Sequence, residues 1–152
     1  MSKILVVYHS QQRGNTRKMA ELVAEGCRQV EGVEVEMVSV NEERVDMDAA
    51  EAADAYALGS PDYFSYVAGG LKQFFDDIYI ANQAGRGVAG KPCVLFLTHG
   101  GGGRAIDSLE KLAKAMKLEP VAPSLSCQGA PSGEAAEQAV ALGKALAQEI
   151  AS

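Results

Sequence analysis

The chain has 152 residues, 22% charged and 47% hydrophobic, with a formal net charge of −6. That length suits one domain over 1–152, able to bury about 70% of its unfolded surface. The acidic balance argues against a nucleic-acid partner, which needs clustered Lys and Arg. No apolar run approaches the ~20 residues of a membrane span, so no membrane partner is expected either.

Lys3-Ile4-Leu5-Val6-Val7-Tyr8 is an apolar run that reads as a buried strand over 4–8. Thr16, Met19, Ala20, Val23, Cys27 and Val30 then share one helical face, with Arg17, Lys18, Glu21, Glu25 and Arg28 opposite, and Gly32 ends that helix. Val33, Val35, Met37 and Val40 alternate with polar residues, as in a half-buried strand near a sheet edge. Asp48 followed by Glu51 marks a short helix start. A third strand is expected over 53–58, closed by Gly59-Ser60-Pro61. Val67, Leu71, Phe74, Phe75 and Ile78 give a helical stripe, with Asp76 and Asp77 on its solvated face. Cys93–Leu97 reads as the fourth strand, and Ile106, Leu109, Leu112, Ala113 and Met116 as the next helix. A weaker fifth strand covers 121–126, and Ser132-Gly133-Glu134 opens the last helix.

Five successive strand–helix units predict an α/β fold with a five-stranded parallel sheet covered on both faces, a three-layer sandwich. Right-handed crossovers favour the strand order 2-1-3-4-5, with ligands outside the carboxyl ends of the strands. Three loops would meet on that rim: 9–16, 59–66 and 98–104.

The first loop, His9-Ser10-Gln11-Gln12-Arg13-Gly14-Asn15-Thr16, joins a buried strand to a helix start. Helix N-terminal N–H groups bind anions, Ser10, Asn15 and Thr16 add donors, and Gly14 lets the backbone approach closely. A phosphate ester is the expected ligand. The alternative is a polar turn in which Asn15 or Thr16 merely caps the helix. In the second loop, Tyr63 or Phe64 is expected to stack on a flat heteroaromatic ring. In the third, Thr98-His99 and the four glycines 100–103 would present bare backbone to a ligand edge. His99 is a candidate proton donor, although a loop or capping histidine is the commoner outcome, and His9 is expected to be structural.

Two other matches are decoys. Residues 85–90 spell G-x-G-x-x-G and continue through Lys91-Pro92 almost as a phosphate-binding P-loop, but they precede a strand instead of following one. There is no Ser-His-Asp spacing, no hydrolytic carboxylate pair and no metal cluster. Cys27, Cys93 and Cys127 have neither metal spacing nor a C-x-x-C pair, and no leader segment is expected before the first strand. Buried, reduced thiols and a cytoplasmic location are expected. Acidic residues are missing after strand 1 and at the end of strand 3, which excludes a phosphate-receiving response regulator. A Cys-x₅-Arg loop is missing after strand 1, which excludes a low-molecular-weight phosphatase.

Val7-Tyr8-His9-Ser10 with Gly14-Asn15-Thr16 and Met19-Ala20, then Gly59-Ser60-Pro61 with its aromatics, then the glycine-rich loop after strand 4, together resemble the flavodoxin-like family over nearly the whole chain. Ala105–Leu109 and Gly129-Ala130-Pro131 resemble the later part of its short members. The resemblance implies bound FMN, its phosphate at Ser10, Gln12, Arg13, Gly14, Asn15 and Thr16. Its ring would lie between Pro61, Asp62, Tyr63 and Phe64 on one side and Thr98, His99, Gly100, Gly101 and Gly102 on the other. The implied activity is that of an oxidoreductase, a quinone or flavin reductase type passing electrons from NAD(P)H or a protein donor to a quinone-like or protein acceptor. The alternatives are an electron-transport carrier without turnover and a flavin-free module for another phosphorylated ligand. The phosphate loop is one residue longer than the family's usual form, with Arg13 available to offset phosphate charge. No aromatic residue stands in the strand-4 loop to cover the second ring face, which favours a reductase over a carrier. A homodimer is among the oligomeric states left open.

Overall fold

The computed structural model describes residues 1–11 and 13–151. The elements run β1 (Ser2–Tyr8), α1 (Asn15–Arg28), β2 (Val33–Ser39), α2 (Met47–Ala52), β3 (Ala55–Tyr63), β4 (Tyr66–Val67) and α3 (Gly69–Gln83). They continue as β5 (Pro92–His99), α4 (Ala105–Ala115), β6 (Glu119–Pro120), β7 (Leu125–Gln128) and α5 (Glu134–Ile150). The sheet order is β2-β1-β3-β5-β6, with β7 also on β5, and every pair in this array is parallel. This is the predicted 2-1-3-4-5 arrangement, its fifth position shared by β6 and β7.

Strands covered on both faces need no polar alternation, which is why β1 reads as one apolar run. Leu5 and Val7 face a cluster with Tyr56, Leu58, Leu71, Phe74 and Leu109, under α3 and α4. Ile4 and Val6 face the opposite cluster with Met19, Val23, Phe96 and Leu146, under α1 and α5. β2 lies at the edge, and its alternating burial matches the alternating sequence. Among the described residues, no helix is long and apolar enough to cross a membrane.

Several predicted boundaries move. The third strand does not close at Gly59: Gly59, Ser60 and Pro61 continue β3, paired with Phe96, Leu97 and Thr98. β1 ends at Tyr8 opposite Gly59, so one side of β3 has no strand neighbour at Pro61, and the missing N–H of proline costs little there. The fourth strand likewise extends through Thr98 and His99. The fifth is broken, its ladder falling on 119–120 and 125–128 around Pro123. Val67 belongs to a short antiparallel pair with β3, and α3 begins only at Gly69.

The caps differ as well. Asp46 caps α2 by accepting from the Asp48 N–H, α5 starts after Gly133 with no side-chain cap, and Gly14 occupies the N-cap of α1 at φ 74°. Asp77 is not merely solvated: its side chain is 12% exposed and accepts from Arg44.

The glycine-rich decoy at 85–90 is a connector bound to α2. Arg86 pairs with Asp48 and Glu51. The Lys91 ammonium donates to the carbonyls of Ala50, Glu51 and Ala53, which terminate that short helix.

Candidate functional site

Where β1 ends, the chain turns over the sheet edge through His9, whose N–H donates to the Gly59 carbonyl (3.2 Å). His9 is 6% exposed. Its Nδ1 accepts from the Gly70 N–H at 3.1 Å, so the proton sits on Nε2 and is donated to Gln11 Oε1 at 2.7 Å. A Cβ at Gly70 would stand 2.8 Å from that Nδ1 and 2.5 Å from the Val40 carbonyl oxygen, so glycine is required. The Tyr63 ring meets His9 edge-on, centroids 5.9 Å apart. His9 is therefore a structural bracket between the first loop and the end of β3.

Ser10 has a similar role. Its N–H donates to Asn41 Oδ1 (2.9 Å), and its Oγ accepts from the Arg17 N–H (3.0 Å). That bond satisfies one of the amides left open in the first turn of α1. No acidic side chain lies in this turn, so no carboxylate offsets the positive end of the helix dipole. Thr16, in the same turn, is 2% exposed and its hydroxyl lies 2.7 Å from that of Thr98, itself 3% exposed, at the end of β5.

A cavity of about 340 Å³ opens at these strand ends. Gln11, Arg13, Asn15 and Thr16 line it from the first loop, Pro61, Asp62 and Tyr63 from the end of β3, Thr98 and His99 from the end of β5 with Gly100 just after it, and Gly129 from beyond β7. Its volume lies in the range of small-molecule sites. The first-loop end is suited to an anion by the helix terminus and the Arg13 guanidinium. Toward β3 the lining carries the Asp62 carboxylate and the Tyr63 ring.

Most of the predicted site residues converge here: Arg13, Asn15, Thr16, Pro61, Asp62, Tyr63, Thr98, His99 and Gly100. Ser10, Gly14, Gly101 and Gly102 do not line the cavity; Ser10 instead braces the loop through Asn41 and Arg17. Gln12 lies outside the described residues. Of the two aromatic candidates, Tyr63 lines the cavity, whereas the Phe64 side chain is fully exposed.

The four glycines of the third loop are not equivalent. Gly102 and Gly103 have φ of 83° and 63°, a backbone that disfavours side chains. A Cβ at Gly103 would press to 2.9 Å against the His99 ring. Gly100 and Gly101 have open space around them. The Nδ1 of His99 is buried with no hydrogen-bond partner. Two lining residues escaped the sequence reading. Gln11 is indistinguishable by type from its neighbour Gln12. Gly129, at φ 73° and bonded through its N–H to the His99 carbonyl, was signalled only by the Gly-Ala-Pro turn.

The chain belongs to the flavodoxin-like fold family, which it matches over residues 2–150. A flavodoxin of Aquifex aeolicus (strain VF5) is 42% identical over 120 residues, covering 78% of this chain and 62% of that protein. An NAD(P)H dehydrogenase (quinone) of Methanosarcina barkeri (strain Fusaro / DSM 804) is 33% identical over 84 residues, covering 55% of this chain and 38% of that protein. These matches thus span less than two thirds of either relative. Among solved structures, a flavodoxin from the domain Archaea superposes with a TM-score of 0.83 at 25% identity, covering 97% of both chains.

Proposed function

We propose that the cavity binds FMN and that the chain is a flavin redox protein, passing electrons from NAD(P)H or a protein donor to a quinone-like or protein acceptor. The observation that carries this reading is the convergence of an anion-suited helix start, an aromatic ring and a glycine-rich strand end around one cavity. The phosphate is assigned to Arg13, Asn15 and Thr16, with Ser10 and Gly14 holding the loop, and the ring to the space between Tyr63 and His99–Gly100.

The residues present fit such a group. Of the Thr16 and Thr98 hydroxyls, one donates to the other, which leaves one proton for a phosphate or ribityl oxygen. The buried Nδ1 of His99 has no hydrogen-bond partner, and His99, which lines the cavity, is the candidate for proton delivery to a bound ligand. FMN, when bound, would supply the electron-accepting and electron-donating chemistry, while the protein orients it and tunes its surroundings.

Among the described residues Tyr63 is the sole Phe, Tyr or Trp lining the cavity, and the lack of a second such ring leaves room for a nicotinamide or quinone to stack. That favours a reductase. The name of the Aquifex relative favours the second reading, an electron carrier without substrate turnover. One titration separates them. FMN is added to the purified chain and its visible spectrum recorded, followed by NADPH and benzoquinone. Uptake with rapid NADPH oxidation supports the reductase, and uptake without it the carrier. Failure to take up FMN at micromolar concentration defeats both and leaves a module for another phosphorylated ligand.

A further inference from the structure

We propose that Asp62 is a positioning residue, whose carboxylate clamps the turn after β3 to the start of α4 and so sets the spacing of the cavity walls that receive the flavin ring. The inference rests on the flavin reading above. Tyr63 pairs with Tyr66 across an antiparallel bridge, so Phe64 and Ser65 form a two-residue hairpin loop. Both have positive φ, 59° and 63°. A hairpin of that shape is normally built from Asn-Gly, because other side chains resist the left-handed region. Phe-Ser does not hold this turn by its own preference.

Asp62 supplies what the turn lacks. Its Oδ1 accepts from the Ser65 N–H at 2.8 Å, and its Oδ2 accepts from the Ala105 N–H at 3.1 Å. Ser108, one turn into α4, donates to the Ser65 carbonyl at 3.5 Å. The turn is therefore fastened to α4. Ala105 directly follows the 99–104 loop, whose glycines at 102 and 103 impose little stiffness of their own. One side chain thus ties the wall continuing from β3, with Tyr63, to the wall continuing from β5, with His99 and Gly100. Both partners are N–H donors, so the position demands two acceptors. A carboxylate offers them, whereas an asparagine amide offers one acceptor and turns a donor against the other N–H.

The test titrates the full-length chain with riboflavin and with FMN, followed by flavin fluorescence quenching. Asp62→Asn should weaken both ligands about tenfold or more, by matching factors, because it moves the ring walls and leaves the phosphate loop alone. It should also change the visible absorption band of the flavin bound at saturation while leaving far-ultraviolet circular dichroism unchanged. In a Phe64→Asn/Ser65→Gly background, where the turn holds itself, adding Asp62→Asn should cost about threefold less or better still.

Binding by D62N within about twofold of wild type overturns the proposal, and so does a loss confined to FMN or an equal cost in both backgrounds. Should D62N not fold, the triple variant must recover the fold and part of the affinity, and its failure overturns the proposal. If the wild-type chain takes up neither ligand, the flavin reading falls and this role falls with it. That result is distinct from every outcome in which wild type binds.

Discussion

The hydroxyls of Thr16 and Thr98 lie 2.7 Å apart, closing a buried link between the first turn of α1 and the end of β5 across 82 positions of chain. Replacing either by valine keeps the shape but strands the other hydroxyl in the interior. Thr16→Val and Thr98→Val should each destabilise the chain by about 1–3 kcal/mol in urea unfolding. The double variant, which strands nothing, should cost less than the two single losses added together.

The same loop should govern phosphate recognition. Thr16→Ala and Ser10→Ala are each expected to weaken FMN by about 1–2 kcal/mol, with a smaller effect on riboflavin, measured by fluorescence titration. Equal losses for the two ligands would argue against placing the phosphate here.

Gly26 and Gly143 mark where α1 and α5 touch through their backbones. An added Cβ at Gly26 would lie 1.9 Å from the Val140 carbonyl oxygen, and one at Gly143 would lie 1.9 Å from that of Val23. In an exposed helix, Gly→Ala gains about 1 kcal/mol from helix propensity. Here the clash wins, because backbone atoms cannot rotate away. Gly26→Ala and Gly143→Ala should each cost about 3 kcal/mol or more, read from the shift in the denaturation midpoint.

Burial pushes the thiols of Cys27 and Cys93 up to about 12, while Cys127 is half-buried on β7. Thiolate is the reacting form, so the two core thiols are protected both by their protonation and by their neighbours. A maleimide at pH 8 should label the native chain at Cys127 and reach all three cysteines only in denaturant. Rapid native labelling of Cys93 would contradict the packing of β5.

The Arg86 guanidinium holds the Glu51 carboxyl below its ordinary value, assisted by the Gly87 N–H. A carboxylate whose folded pKa is depressed contributes stability above its unfolded pKa and loses it as pH falls through the folded value. Glu51→Gln should therefore lower the melting temperature slightly at pH 7, and the gap to wild type should close below about pH 4. Both side chains meet water, so high salt should shrink the gap as well.

Much of this fold was legible because the apolar pattern repeats what the core requires. The run Ile4–Val7 is continuous since helices cover both faces of the sheet, and Leu109 and Ala113 recur at helical spacing since one face of α4 is buried. Legibility failed where polar or special residues sit inside regular structure. Gly59-Ser60-Pro61 reads as a strand stop, yet it continues β3 because β5 extends beside it and Phe96 occupies the space a side chain at Gly59 would need. The fifth strand breaks around Pro123 because its two short pieces pair with β5 at different points, Glu119–Pro120 with Pro92–Cys93 and Leu125–Gln128 with Phe96–His99.

The three loops of the site were visible by composition, but their division of labour was not. Ser10, Gly14, Asn15 and Thr16 predict an anion site by residue type, and of these Asn15 and Thr16 line the cavity. Tyr63 lines the cavity while Phe64 is exposed, and the hairpin between them is held by Asp62, in part through Ala105, a contact across 43 residues.

The sequence by itself determined the alternation of strands and helices and the two-sided burial of the sheet. These are local properties, set by the spacing of apolar residues and by turn-forming residue types. Only the tertiary structure decided which hydroxyls pair, which glycines are sterically compelled, and which aromatic ring lines the cavity. Each of those depends on a partner brought near by the crossovers of the chain, and no periodicity in a linear sequence encodes that distance.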